Sequence, residues 1–135
     1  MTPEQIADSI AIGLQERHGK KLDPRFIYAH SYHETGGFSS ALARDHHNYG
    51  GVTQLENNGL GQPDGSLFYK HFDSDEDYVD FMIDYYNRYD ADGLFEATNT
   101  SEVAHALKSG GYYTDDEENY TAGLNNGLQH YGASS

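Results

Sequence analysis

The chain has 135 residues and a mass of 15.1 kDa, the size of one ordinary domain, and 1–135 is read as a single unit. With 8 Lys and Arg against 22 Asp and Glu, its formal net charge of −14 argues against non-specific binding to nucleic acid or to an anionic membrane face. No apolar run approaches the ~20 residues of a membrane span, and the absence of cysteine excludes disulfides and thiolate metal sites. Hydrophobic residues at 36% and aromatic residues at 13% supply enough bulk for a packed core.

The first predicted helix opens with Thr2 as cap, Pro3 at its first position and Gln5 at the capping-box position. Ile6, Ile10 and Leu14 then recur every four residues, and Gly19 closes it. A second helix starts at the Asp23 cap and Pro24, runs through Glu34 and is stopped by Gly36-Gly37. It is apolar or aromatic over much of its circumference, which predicts a central, buried position. Between residues 50 and 65 the chain becomes rich in Gly, Asn and Pro. Residues 52–55 and 67–72 read there as two short strands of a β-hairpin with a long polar tip. Ser74 caps a third helix whose stripe is Tyr78, Phe81, Met82, Tyr85 and Tyr89, ending before Gly93. A short fourth helix carries Val103, Ala104 and Leu107. The last begins near Asp116 and places Tyr120, Leu124, Leu128 and Tyr131 on one side. The fold class is mainly α (α+β), with about five helices and one small hairpin.

Glu34 is the most informative residue. It leaves the second helix from the same face as Ile27 and Ser31, in the last turn, where the macrodipole is negative. Burial and a negative helix end both disfavour the carboxylate and raise its pKa. A carboxylic acid protonated near neutral pH is what protonation of a leaving-group oxygen requires.

The string from Tyr28 to Ala43 contains Tyr32-His33-Glu34-Thr35-Gly36-Gly37-Phe38-Ser39-Ser40-Ala41-Leu42, and Asn48-Tyr49-Gly50-Gly51-Val52 follows it. Together they resemble the core motif of the glucosaminidase family, glycoside hydrolase family 73. Downstream, residues 66–72 and Ser74-Asp75-Glu76-Asp77-Tyr78 are similar to its second strand and following helix. Gly111-Tyr112-Tyr113-Thr114-Asp115, then Tyr120 and Leu124, is similar to its Gly-Tyr-Ala-Thr-Asp-x-x-Tyr-x-x-x-Leu segment. The resemblance implies a lysozyme-like helical domain with the hairpin as a flap over the cleft. It also implies cleavage of β-1,4 bonds in peptidoglycan glycan strands, of the endo-β-N-acetylglucosaminidase type. Glu34 matches the family's general acid, and Tyr112 its functional tyrosine near the scissile sugar. The second carboxylate lies on the family's hairpin, which leaves Glu56 and Asp64 as nearly level candidates, Glu56 slightly ahead. A substrate acetamido group could also replace it. Phe38, Asn48, Tyr49 and Tyr113 are the candidate substrate-binding residues. Thr35 departs from the usual Ser, and Thr53 stands where many relatives carry a basic residue.

Other signals favour neither cofactor nor metal. Asp73-x-Asp75-x-Asp77 starts like a calcium loop, but Tyr78 occupies the position that needs Gly. His30 with His33, and His46-His47, raise zinc without a third ligand placed by spacing. A lytic transglycosylase and a non-catalytic glycan-binding subunit are the competing readings. The N-terminus shows no secretory signal, and no wall-binding repeat is visible. The expectation is therefore action at the bacterial cell wall or periplasm after delivery by other means, with phage tail or other virion proteins as partners.

Overall fold

The computed structural model describes residues 1–61 and 67–132, and it is mainly helical, with six α-helices and a two-stranded antiparallel pair. Helix α1 (Pro3–His18) begins in the expected capping box: Thr2 Oγ1 accepts from Gln5 N, and Gln5 Oε1 accepts from Thr2 N. Helix α2 (Pro24–Glu34) is capped by Asp23 and buries every side chain from Phe26 to Ser31. It is the centre of the molecule. α1 and α6 (Glu117–Gln129) pack against it, α4 (Asp75–Asn87) packs on α1, and α5 (Thr100–Ser109) packs on α6. Their apolar side chains form one cluster around Ile10, Leu14, Ile27, Met82 and Leu107. Among the described residues, no helix is long and apolar enough to cross a membrane.

The seam between α2 and α6 depends on glycine. A Cβ at Gly127 would lie 2.8 Å from the Ala29 carbonyl oxygen, and one at Gly123 would collide with Nδ1 of His33. Glycine inside a helix costs about 0.5–1 kcal/mol relative to alanine. Here that cost is accepted for close approach of α6 to the helix that carries Glu34.

Three expectations need correction. A sixth helix, α3 (Ala41–His46), is capped by Ser40. Only Ala43 of it is buried, so it leaves no apolar period to read. The third predicted helix ends at Asn87 instead of running toward Gly93, and two 3₁₀ turns follow, Asp90–Asp92 and Leu94–Glu96. The tighter path turns both Tyr89 and Leu94 into the core. The hairpin ladder is shorter than predicted: β1 (Thr53–Gln54) pairs with β2 (Phe68–Tyr69), two residues each. At the next pair Lys70 N still donates to Val52 O, but the Asn48 side chain takes the return bond, with Oδ1 accepting from Val52 N and Nδ2 donating to Lys70 O, while Phe72 N donates to His46 O. Asp64 and Ser66 lie outside the described residues.

Candidate active site

A cleft of ≈ 650 Å³ opens at the C-terminal end of α2. The Gly51–Thr53 segment, the hairpin residues Leu67 and Tyr69, the 111–115 loop and Tyr120 of α6 form its walls. Glu34 lies in it with one fifth of its side chain exposed. Burial pushes its carboxyl from the ordinary 4.5 up to about 7, against the opposing pull of a hydrogen bond from Tyr120. The expected raised acid is present, and burial is its main cause.

The two carboxyl oxygens have different surroundings. Tyr120 Oη donates to Oε2 at 2.7 Å. Burial and the neighbouring Glu34 carboxyl hold the Tyr120 phenol far above its usual pKa, so it stays a donor. With Oε2 accepting, the acid carries its own proton on Oε1. That oxygen lies beside Gly51, where a Cβ would stand only 3.1 Å away. Gly51 also has φ of +61°, a left-handed conformation that favours glycine. One residue thus satisfies the turn and permits the close approach of the backbone to Oε1.

Gly51 is held in place by Asn48 and Tyr112. Asn48 is fully buried; its Nδ2 donates to Val52 O and Lys70 O, and its Oδ1 accepts from Gly50 N and Val52 N. The side chain expected to bind substrate is therefore committed to the backbone and holds the turn beside Glu34. Tyr112 Oη donates to Gly50 O at 2.7 Å, its ring meets His30 edge-on at 4.4 Å, and it lines the cleft. Tyr113 also lines the cleft; it stacks on Tyr120 at 3.6 Å and donates to Ala104 O. Phe38 and Tyr49 do not line it. Phe38, at φ +66°, packs on Tyr28 and Tyr32, while Tyr49 donates to Asp75 Oδ1 at 2.7 Å. Glu56 is exposed and is not among the cleft-lining residues. Asp64 lies outside the described residues.

Tyr120, His33 and His30 belong to this site and were not singled out for it from the sequence. Tyr120 reads as one more apolar position of the last helix, although the Tyr-x-x-x-Leu segment contained it. His33 lines the cleft with its edge against Tyr120. Burial lowers its pKa, with Asp115 opposing, so the ring is neutral at neutral pH. His30 precedes Glu34 by one helical turn, and i, i+4 spacing would have found it. Its Nε2 is 3.9 Å from Glu34 Oε2, but burial pushes the imidazole down to about 3, so the contact is not an ion pair. Among the described residues, no group of three His, Asp or Glu side chains converges to hold a metal ion.

A deep-set acid in a cleft walled by tyrosines is suited to glycosidic cleavage. The profile of the glucosaminidase family, described as mannosyl-glycoprotein endo-beta-N-acetylglucosaminidase, matches residues 9–133. The chain belongs to the glucosaminidase family. No curated protein and no solved structure matches it. Membership places the domain in a family of glycoside hydrolases of the peptidoglycan-directed type, and its fold is mainly helical with a small antiparallel pair.

Proposed function

We propose that this glucosaminidase cleaves β-1,4 bonds of peptidoglycan glycan strands as an endo-β-N-acetylglucosaminidase, with Glu34 as general acid. The observation that carries the reading is Glu34 itself. It is set into the cleft wall, largely desolvated, with its pKa about 7, its Oε2 takes the Tyr120 hydroxyl, and its Oε1 lies beside Gly51. The proton on Oε1 passes to the glycosidic oxygen as that oxygen's bond to the anomeric carbon breaks. The electron pair stays with the departing oxygen. Tyr112 and Tyr113 line the groove for the sugar rings.

The second group is Glu56 or Asp64, the two acids between the hairpin strands in sequence, or the substrate's own acetamido group. Glu56→Gln and Asp64→Asn separate these routes. One strong and one weak loss of turnover identifies the protein base, whereas wild-type rates in both assign the role to the substrate. A lytic transglycosylase is the second reading, because among the described residues the side chains beside the Glu34 carboxyl are the Tyr120 phenol and the neutral His30 imidazole instead of a paired carboxylate. Mass spectrometry of digested peptidoglycan decides between them: a reducing sugar end supports hydrolysis, and an anhydro end overturns it. Wall lysis that persists in folded Glu34→Gln overturns the assignment of the acid.

A further inference from the structure

Behind Glu34, on the side away from the cleft, His30 is 1% exposed, and its Nε2 has no hydrogen-bond partner among the described residues. Buried polar atoms without partners are rare in native proteins and are costly to keep. The other ring nitrogen, Nδ1, lies 2.7 Å from the Tyr86 hydroxyl. Two tautomers fit that distance. If Nδ1 carried the proton, both the Tyr86 O–H and the Nε2 lone pair would be left unused in the core. If Tyr86 donates to Nδ1, only the Nε2–H is left over, so this is the better-satisfied arrangement. That spare N–H lies 3.9 Å from Oε2 of Glu34, too far for a hydrogen bond while the acid is neutral.

We propose that His30 is a positioning residue for the general acid, holding an Nε2–H in reserve that closes onto Glu34 Oε2 when the proton on Oε1 leaves. The inference rests on Glu34 being that acid. In the step, the Oε1–H bond breaks and its proton goes to the glycosidic oxygen. His30 neither gains nor loses a proton. Oε2 then holds two donors, Tyr120 O–H and His30 Nε2–H, and charge-assisted bonds contract to about 2.7–2.9 Å. The closure needed is therefore about 1 Å.

The surroundings keep His30 in this role. Its own helix presents His33 and Glu34, α4 presents Tyr86, the 111–115 loop presents Tyr112 and α6 presents Tyr120. Burial raises the pKa of all three phenols, so each is neutral, and the imidazole itself is held down to about 3. The carboxylate formed during turnover is the charge that the spare N–H meets.

The test is NMR titration of the intact protein with ¹⁵N-labelled histidine and ¹³C-labelled glutamate. The wild type should show His30 with a bare Nδ1 and a protonated Nε2 throughout, and an Nε2–H signal that moves downfield as Glu34 titrates near pH 7. An Nδ1–H tautomer, or an Nε2–H signal indifferent to Glu34, overturns the proposal. In His30→Phe, Glu34 should titrate about one unit higher, a tenfold change in proton affinity. His30→Gln, which keeps an amide donor, should return most of that shift. An unmoved Glu34 in folded His30→Phe is a refutation. Where that variant does not fold, Tyr86→Phe removes only the hydroxyl that fixes the tautomer. It should mix the two tautomers and move Glu34 upward, and no change in either refutes the proposal. These signals do not depend on wall lysis, so they can fail while Glu34→Gln still abolishes activity, and the reverse.

Discussion

Replacing Glu34 by Gln should abolish lysis and also stabilise the protein at alkaline pH. Folding raises the Glu34 pKa from 4.5 to about 7, so the native state binds this proton more tightly than the unfolded chain. Its contribution is fully present below pH 4.5 and is lost as pH rises through 7. At about 1.4 kcal/mol per unit, the loss comes to about 3 kcal/mol. Glu34→Gln keeps the shape and an acceptor for Tyr120 but has no proton to lose. At pH 8 it should melt about 10 °C above the wild type, and near pH 4 the two should nearly coincide. His30 sharpens the contrast. Its pKa falls from 6.5 to about 3, so its contribution is full above 6.5 and is lost as pH falls toward 3. Between pH 4.5 and 6.5 the two slopes oppose in the wild type, whereas in Glu34→Gln the His30 slope, reinforced by that of His33, is no longer opposed by Glu34 and stability should climb with pH. Urea titrations at pH 4, 5, 6, 7 and 8 on both proteins measure the difference, in which every other titrating group cancels. Lysis should fall by more than about a hundredfold. Parallel stability curves would refute the buried-acid argument even if activity were lost.

Tyr120→Phe removes the donor that steadies the Glu34 carboxylate, so the basic limb of the pH–rate profile should move up by about one to two units. A limb that stays near 7 counts against the Oε2 assignment. Tyr112→Phe leaves the Gly50 carbonyl without its phenol and loosens the turn beside Oε1; both a stability loss of about 1 kcal/mol and a lower turnover should follow. Wild-type values for both would show that the bond does not matter. Gly127→Ala drives a Cβ into the rigid Ala29 backbone, at a cost of about 1–3 kcal/mol by urea denaturation, and displaces the helix that carries Tyr120. A neutral or stabilising effect would refute the seam argument.

Helix starts were the most legible part of the fold, since the capping signals at Thr2, Asp23, Ser74 and Asp116 act within four residues. Periodicity placed the long helices for the same local reason. It failed at α3, where one buried alanine gives no pattern, and at the hairpin, where the competing partner for the ladder is Asn48, a side chain that strand propensity does not register. The raised pKa of Glu34 was legible because helix end and apolar face met at one residue. The ring of groups that serves it was not. Tyr120 is separated from Glu34 by 86 positions, and its spacing within α6 is the same for a packing residue as for a proton-holding one. His30 showed the i, i+4 relation, but spacing does not reveal which nitrogen is left without a partner. Phe38, Asn48 and Tyr49 show the converse. Their place in a motif marked them as substrate contacts, while the packed chain uses them to build the turn and the aromatic wall behind it.

A chain with a net charge of −14 offers another explanation for a protonated glutamate, namely repulsion from its many other acids. The two causes differ in reach. Repulsion between exposed carboxylates acts through solvent and is screened beyond about 8–10 Å at ordinary ionic strength. Desolvation is a local property of the cleft wall, and no carboxylate appears among the causes of the Glu34 shift. If burial governs, raising salt from 0.05 to 1 M should leave the Glu34 titration near 7. If the surface charge governs, the same change should draw it down toward 4.5. NMR of the Glu34 carboxyl at the two salt concentrations reads this directly, without substrate and without a variant. A downward move of a full unit would place the acid under control of the whole surface. Its protonation would then vary with the charge of the wall it approaches, whereas burial makes the proton donor a fixed property of α2, Gly51 and Tyr120.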